Sequence, residues 1–163
     1  MNMFNGYDLD SLKSGPVKET AQFSRIAAAE GMVLLKNENV LPFGKSKTVS
    51  IFGRTQIDYV KSGTGSGGLV NTEYSVNILD GVTGKININQ ELVNIYKEWL
   101  EENPFDAGHG WSTEPWAQKE MPVTDEMCAT AASKSDYAVI VIGRTAGEDK
   151  DNTASPESSL LST

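Results

Sequence analysis

Charged side chains follow a strongly apolar stretch near the carboxyl end of the sequence. Five charges occur between positions 144 and 151: Arg144, Glu148, Asp149, Lys150 and Asp151. Neighbouring acids and bases shift each other's pKa values, and such groups can donate or accept protons or bind a polar ligand. This charged loop is therefore a candidate functional site.

The segment that must position this loop runs from Asp136 to Gly143. Its residues 137–142 are apolar, rich in Val and Ile, and show no alternation with polar residues. This pattern indicates a strand that is buried on both faces, as in a parallel sheet. In open α/β sheets, ligands bind beyond the carboxyl ends of the strands, which is where the charged loop begins.

A second strand with a similar end is predicted at 48–53. Arg54 follows Gly53 just as Arg144 follows Gly143. We expect both strands to deliver an arginine to the same edge of one sheet. The two guanidinium groups then either recognise a polar or anionic ligand or pair with nearby carboxylates.

A glycine-rich segment at 63–68 matches the pattern G-x-G-x-x-G of dinucleotide sites. The context does not fit, because that pattern leaves a strand directly and opens into a helix. Here ten positions separate Gly63 from Gly53, and 69–72 are a poor helix start. The glycines indicate a sharp turn or a close approach of the backbone, and we expect no stabilisation by a nucleotide cofactor.

Helical patterns place the remaining elements. A helix is predicted at 89–102, where an apolar stripe is formed by Leu92, Ile95, Tyr96 and Trp99. A second helix is predicted at 124–135. It begins at the capping residue Thr124, and its inward-facing residues are Met127, Cys128 and Ala131. Helices are also predicted at 17–31 and, more weakly, at 75–82, a short extended segment at 32–35 and a turn at 36–39. Ser155, Pro156 and Glu157 have the signature of a further helix start.

A long irregular segment, 103–123, contains Phe105, Trp111, Trp116 and the chain's only histidine, His109. Long loops in compact domains are often functional. Two interpretations stay open: a loop folded over its own aromatic side chains, or a surface that faces a sugar or a partner. The single histidine excludes any metal site or catalytic arrangement that needs two imidazole groups.

Composition limits the classes of function. The chain has 163 residues and a net charge of −8 from 22 acids and 14 bases, which argues against nucleic acid and anionic membranes as partners. The single cysteine, Cys128, allows no internal disulfide. No signal sequence precedes the first element, so the expected compartment is the cytoplasm. We expect neither a metal nor a cofactor.

Several ordered motifs carry a resemblance to a known family. Residues 28–38 with Leu41-Pro42-Phe43, the strand 49–53 with the glycine-rich segment 63–67, and 138–144 with Gly147, Glu148 and Asp151 resemble the α/β sandwich domain of glycoside hydrolase family 3. This family contains β-glucosidases and β-xylosidases. The match runs in order from about Ala27 to Asn152.

The resemblance implies a retaining glycosidase with an active site shared by two domains. A barrel domain supplies the carboxylate nucleophile, and the sandwich domain supplies the acid/base, which would be Glu148. Substrate-binding residues would be Gly63, Thr64, Gly65, Ser66, Arg144 and Asp151. This chain has Asp149 where many members have glycine after the glutamate, and the acid/base varies in position among branches of the family.

These observations predict an α/β fold, a layered sandwich with a mainly parallel sheet. We expect an N-terminal arm at 1–15 and the front part of the sandwich domain at 16–163, with no barrel, as in a permuted member that has the sandwich before the barrel. The chain alone should not hydrolyse β-glucosides, and its exposed sheet edge favours homo-oligomers. The alternative function is a non-catalytic carbohydrate-binding or interaction module.

Overall fold

The computed structural model describes residues 18–60, 74–110 and 112–144. The chain divides into two compact units, Met1–Pro42 with Asn71–Tyr74 and Phe43–Val70 with Ser75–Thr163. The predicted N-terminal arm at 1–15 lies outside the described residues. The predicted domain boundary therefore stays a prediction.

The first unit contains the helix α1, Lys18–Glu30, which confirms the helix predicted at 17–31. No residue of α1 is buried. The apolar segment 32–35 that follows pairs with no strand, and the expectation that it is extended stays a prediction. The predicted turn is present: the Asn37 carboxamide oxygen accepts from the amides of Val40 and Leu41, each at 3.1 Å.

The second unit is an α/β fold around a parallel sheet. Its elements in chain order are β1 Thr48–Phe52, a 3-10 turn Arg54–Gln56, α2 Ile78–Val82, β2 Asn87–Ile88, α3 Gln90–Glu102, α4 Asp125–Lys134 and β3 Tyr137–Ile140. The strand order is β2-β1-β3, and β1 pairs in parallel with both neighbours. The predicted fold class, α/β with a parallel sheet, is confirmed.

Side-chain caps fix where the helices of this unit begin. The side chains of Asn77, Asn89 and Thr124 accept hydrogen bonds from backbone amides in the first turns of α2, α3 and α4. Such caps satisfy amides that have no partner inside the helix. The cap at Thr124 was predicted, whereas α2 begins three positions later than the predicted start at 75, because Asn77 caps it.

Both α3 and α4 lie on one face of the sheet. Ser50 of β1 shares a hydrogen bond of 2.7 Å with Ser135 at the end of α4, and the Asn89 side chain donates to Ser50 at 3.0 Å. On α3, Leu92 and Tyr96 are buried as the predicted stripe requires, but Ile95 is 37% exposed. We refer to this side as the helix face of the sheet.

The strand β3 departs from the prediction. It was expected to be buried on both faces, yet Ile140 and Ile142 are 73% and 69% exposed. The expectation was wrong because β3 is the edge strand of the described sheet, and its helix face has no cover among the described residues. Cys128 of α4 was expected to face inward and is exposed for the same reason, since it borders this uncovered strip.

A buried arginine lies at the carboxyl end of β1. Arg54 is 1% exposed. Its guanidinium group donates to the Asp58 carboxylate at 2.6 Å, to the Lys119 carbonyl at 2.6 Å and to the Asn103 carbonyl at 3.0 Å. It also lies 5.4 Å from the centroid of the Trp99 ring, within the range of a cation–π interaction. One side chain therefore joins the end of β1 to both ends of the segment 103–120.

Removal of the Arg54 charge should destabilise the second unit. Arg54→Met leaves Asp58 and two carbonyl groups without their donor, and losses of this kind cost about 3 kcal/mol or more of the free energy of unfolding. Arg54→Lys should recover only part of this, because an ammonium group cannot reproduce the planar fork of donors. Urea unfolding monitored by circular dichroism measures both. Arg25→Met, a matched change on the exposed surface of α1, should change the free energy of unfolding by no more than about 0.5 kcal/mol. Equal losses of stability at the two positions would contradict the structural role of Arg54.

An ion pair connects the starts of β1 and β3. The Asp136 carboxylate accepts from the Lys47 ammonium group at 2.7 Å and from the Thr48 amide at 2.9 Å. The hydrogen bond with Lys47 is the main cause that lowers the pKa of Asp136 below its ordinary value, and the hydrogen bond with Asp136 is the main cause that raises the pKa of Lys47. Both side chains are partly exposed, so solvent weakens the pair.

The lowered pKa of Asp136 gives a pH dependence with a definite sign. A carboxyl group whose folded pKa is depressed stabilises the fold at pH values above its unfolded pKa, about 3.9, and this stabilisation is lost as the pH falls through the folded pKa. Asp136→Asn should therefore lower stability at pH 6, and the difference from the parent should shrink below about pH 4. Urea midpoints measured from pH 6 to pH 3 test this. Glu98→Gln, on the exposed surface of α3, is the control; a difference for Asp136→Asn that does not change with pH would refute the assignment.

Candidate functional site

The carboxyl ends of β1 and β3 meet at one edge of the sheet. Phe52 pairs with Ile140, and the Val141 amide extends the pairing by donating to the Phe52 carbonyl at 2.9 Å. The two glycine-arginine sequences therefore follow adjacent parallel strands. This confirms the expectation that both strands deliver their ends to the same edge, which is where ligands bind in open α/β sheets.

Each of the two strands ends in a glycine because the other chain segment passes close to it. A Cβ atom at Gly53, whose φ is +98°, would collide with the Val141 carbonyl oxygen. A Cβ atom at Gly143 would collide with the Thr55 side chain. The similarity of the two strand ends in the sequence thus has a packing cause: each glycine allows the neighbouring segment to cross the end of its strand.

The two arginines have different surroundings. Arg54 is buried and engaged with Asp58, so of the two predicted alternatives it takes the carboxylate pairing and does not face a ligand. Arg144 is exposed at the end of the described range beside β3. Arg144 therefore lies at the predicted site edge.

Tyr96 of α3 supports the end of β1 from the helix face. The Gly53 amide donates to the Tyr96 hydroxyl oxygen at 2.8 Å. Burial raises the pKa of the Tyr96 hydroxyl, and the hydrogen bond from Gly53 opposes that rise. The hydroxyl satisfies an amide at a position where the strand has ended, so it helps fix the backbone directly before Arg54.

The segment 103–120 lies against the same end of β1. The Glu120 carboxylate accepts from the Arg54 amide at 2.9 Å. Within the segment, the Asp106 amide and carbonyl exchange hydrogen bonds of 2.7 and 2.9 Å with the Gln118 side chain. His109 is exposed. These bonds give the loop a defined shape, and both interpretations of its exposed surface stay open.

The remaining predicted site residues lie outside the described residues. They are the proposed acid/base Glu148, its neighbour Asp151, and Gly63, Thr64, Gly65 and Ser66 of the glycine-rich segment. The structure describes their points of attachment: Val60 after β1 and Arg144 after β3. Within the described ranges, no cluster of three or more His, Cys, Asp and Glu side chains is arranged to hold a metal ion, and no helix is long and apolar enough to cross a membrane.

Sequence reasoning missed most of the residues that support the site edge. Tyr96 was identified only as a core residue, and Asn103, Lys119 and Glu120 were not identified at all. One local signal was available, because Arg54 and Asp58 stand four positions apart, a spacing at which opposite charges meet. The other contacts join residues more than 40 positions apart and have no local signature.

A family model, curated relatives and solved structures all relate this chain to the same family of proteins. Residues 32–161 match the family model described as the glycosyl hydrolase family 3 C-terminal domain. The chain is 48% identical over 134 residues to a β-glucosidase of Ruminococcus albus. That alignment covers 82% of this chain and 14% of the relative, so the chain corresponds to a small part of that protein.

Solved structures show the same fold at substantial identity. A β-glucosidase from Paenibacillus barengoltzii superposes with a TM-score of 0.83 at 56% identity, over 87% of this chain and 16% of the other. The β-glucosidase 3B from Thermotoga neapolitana in complex with glucose superposes with a TM-score of 0.72 at 30% identity, over 83% of this chain and 19% of the other. The motifs, the parallel sheet with its glycine-ended strands, and the match of residues 32–161 lead to one conclusion: this chain belongs to the glycosyl hydrolase family 3 C-terminal domain family.

Proposed function

We propose that this chain supplies the acid/base loop and part of the sugar pocket of a retaining β-glucosidase. Glu148 is the acid/base, and Arg144, Asp151 and Gly63, Thr64, Gly65 and Ser66 contact the sugar. A barrel domain provides the carboxylate nucleophile. The substrate is a β-linked glucoside or a related sugar.

The observation that carries this proposal is the place where β3 ends. The strands β1 and β3 end side by side, and in the sequence residues 145–151 come directly after the described part of the chain, within the range 32–161 that matches the family. Both glycines at this edge permit a close crossing of the two segments, and Arg54 with Tyr96 fixes the end of β1. A loop attached to rigid strand ends can hold a carboxyl group in one place relative to a second domain.

The chemistry requires two carboxyl groups about 5–5.5 Å apart. In the first step the nucleophile attacks the anomeric carbon while the protonated Glu148 carboxyl group gives its proton to the departing glycosidic oxygen. In the second step the Glu148 carboxylate takes a proton from water, which attacks the same carbon and releases the nucleophile. The net reaction adds one water molecule across one glycosidic bond.

Charges of both signs stand next to Glu148 in the sequence. A proton donor must hold its proton near neutral pH, and nearby negative charge or burial raises a carboxyl pKa. In the sequence, Asp149 and Asp151 are neighbours whose negative charge favours a proton donor, whereas Arg144 and Lys150 carry the opposing sign. The covering barrel domain would add desolvation, so we infer that the chain alone does not hydrolyse β-glucosides.

A chimera tests the role of Glu148. Residues 32–161 of this chain replace the matching segment of the Paenibacillus barengoltzii β-glucosidase, to which the chain is 56% identical. Glu148→Gln in the chimera should lower kcat on alkyl glucosides by about 10²–10⁴-fold, the usual contribution of a general acid/base. Azide should restore turnover of nitrophenyl glucosides, because this anion attacks the glycosyl-enzyme without needing a base, and should yield glucosyl azide.

Glu157→Gln is the matched control for this experiment. It removes the same charge from another glutamate of the matched segment and should leave kcat and the azide response unchanged. Full activity of the Glu148→Gln chimera, or a loss that azide does not restore, would refute the acid/base role. Ordinary glucosidase turnover by the 163-residue chain alone, abolished by Glu148→Gln, would contradict the shared active site.

The open edge of β3 leads to a further expectation for the chain on its own. No other strand pairs with the outer edge of β3 among the described residues, and unpaired edges associate with other chains. We expect the isolated chain to form dimers or larger assemblies whose mass falls on dilution. Light scattering over a concentration series measures this, and a strict monomer at high concentration would refute it.

A further inference from the structure

A buried glutamine takes the place of a strand neighbour at the end of β1. Carbonyl groups along a strand point alternately to its two neighbours. The Val49 carbonyl points to the β2 side, where it accepts from the Asn89 amide at 2.9 Å. The Ile51 carbonyl, two positions further on, points to the same side, but the pairing with β2 has ended by then. The Gln56 side chain donates to the Ile51 carbonyl at 2.8 Å, so this carbonyl is satisfied without a strand.

The same glutamine holds the backbone of Gly53. Its Nε2 atom and its backbone amide both donate to the Gly53 carbonyl, each at 3.2 Å. The Gly53 amide donates in turn to the Tyr96 hydroxyl at 2.8 Å. Gly53 has a φ of +98°, a conformation that depends on the absence of a side chain. Gln56 and Tyr96 are 0% and 1% exposed, so two buried side chains fix both polar groups of this one residue.

The backbone that Gln56 holds contacts the end of β3 at two points. Gly53 lies so close to the Val141 carbonyl that a Cβ atom there would collide with it. The Thr55 side chain lies equally close to Gly143. Closely packed groups transmit displacements, so the 3-10 turn after β1 cannot move without moving the residues directly before Arg144.

The buried carboxamide of Gln56 has one unsatisfied atom. Its Oε1 atom accepts no hydrogen bond within the part of the chain that the structure describes. A buried acceptor without a donor lowers stability, so a group of this kind needs an explanation. Methionine would fill a similar volume without that oxygen atom, but it has no donor for the Ile51 and Gly53 carbonyls. The reason for a glutamine at this position therefore lies in the two carbonyls that it holds.

We propose that Gln56 is a positioning residue for the reaction: by holding Gly53 it fixes the end of β3, and with it Arg144, at the site edge. This role rests on the proposed function, in which the acid/base Glu148 follows Arg144 in the sequence. Gln56 itself touches neither the substrate nor the reacting atoms. Its loss displaces the proton donor relative to the glycosidic oxygen, and such a displacement slows the step that needs the proton.

Gln56→Met in the 163-residue chain tests the contact itself. Hydrogen exchange of the Val141 amide, at the end of β3, is compared by NMR with exchange of the Asp136 amide, which bonds to the Thr48 carbonyl at the start of β3. The ratio of the two rates should rise roughly threefold to tenfold, the factor by which one net hydrogen bond changes a local opening equilibrium. Gln90→Met, at an exposed glutamine of α3, should leave the ratio unchanged. An unchanged ratio in Gln56→Met would overturn the proposal.

The chimera with the Paenibacillus barengoltzii β-glucosidase tests the catalytic consequence. A dinitrophenolate group departs without a proton, whereas an alkoxide needs one from the general acid. Gln56→Met should lower kcat/KM on methyl glucoside about tenfold or more, and it should change kcat/KM on a dinitrophenyl glucoside by less than about twofold. Gln90→Met should match the parent chimera on both substrates. A purely structural loss would reduce the amount of folded enzyme and lower both values equally.

The two substrates separate failure of the positioning role from failure of the proposed function. Equal losses on both glucosides in Gln56→Met would overturn the positioning role. If Glu148→Gln lowers only the alkyl glucoside value and Gln56→Met does not, the acid/base assignment stands and the positioning role is refuted. If Glu148→Gln does not distinguish the substrates, the acid/base assignment fails and the positioning role fails with it, whereas the exchange ratio still measures the contact between the turn and β3.

A second variant applies if Gln56→Met does not fold. Tyr96→Phe removes only the hydroxyl that accepts from the Gly53 amide, so it loosens the same residue from its other side. It should raise the exchange ratio of Val141 and lower kcat/KM selectively on methyl glucoside. Parent values for both measurements in Tyr96→Phe would overturn the role of the Gly53 backbone.

Discussion

The burial of one cation organises the end of the sheet. Arg54 has almost no exposed surface, so its guanidinium group must find its hydrogen-bond acceptors inside the protein. It takes them from Asp58, Asn103 and Lys119, while its amide donates to Glu120. The end of β1 and both ends of the segment 103–120 are thereby fixed relative to each other, and the candidate site depends on the stability of that arrangement.

Glycines make the same edge compact. Gly53 and Gly143 stand where neighbouring segments pass too closely for a side chain, and Tyr96 satisfies the Gly53 amide where strand pairing ends. These contacts explain why two strands of one sheet both end in glycine followed by arginine. They also explain why only the second arginine is exposed: the first is enclosed by the segment that returns from α3.

The family and the geometry together account for the proposed role. Residues 32–161 match the glycosyl hydrolase family 3 C-terminal domain, and β1 and β3 end side by side at the edge where ligands bind in open α/β sheets. The chain spans 14–19% of the length of the relatives described above, and our proposal assigns the nucleophile to another domain.

The sequence by itself determined the fold class, the helices at α1, α3 and α4, the strand at β1 and the family, because caps, periodicity and ordered motifs are local signals. It also placed Arg144 at the end of a strand; the roles of Glu148, Asp151 and 63–66 stay predictions, because these residues lie outside the described ranges. Only the tertiary structure decided that Arg54 is buried and paired with Asp58, that β3 and Cys128 are exposed, and that the two-residue strand β2 pairs with β1. Each of these depends on which distant segment lies alongside, and six apolar residues in a row have the same pattern whether or not a helix covers them.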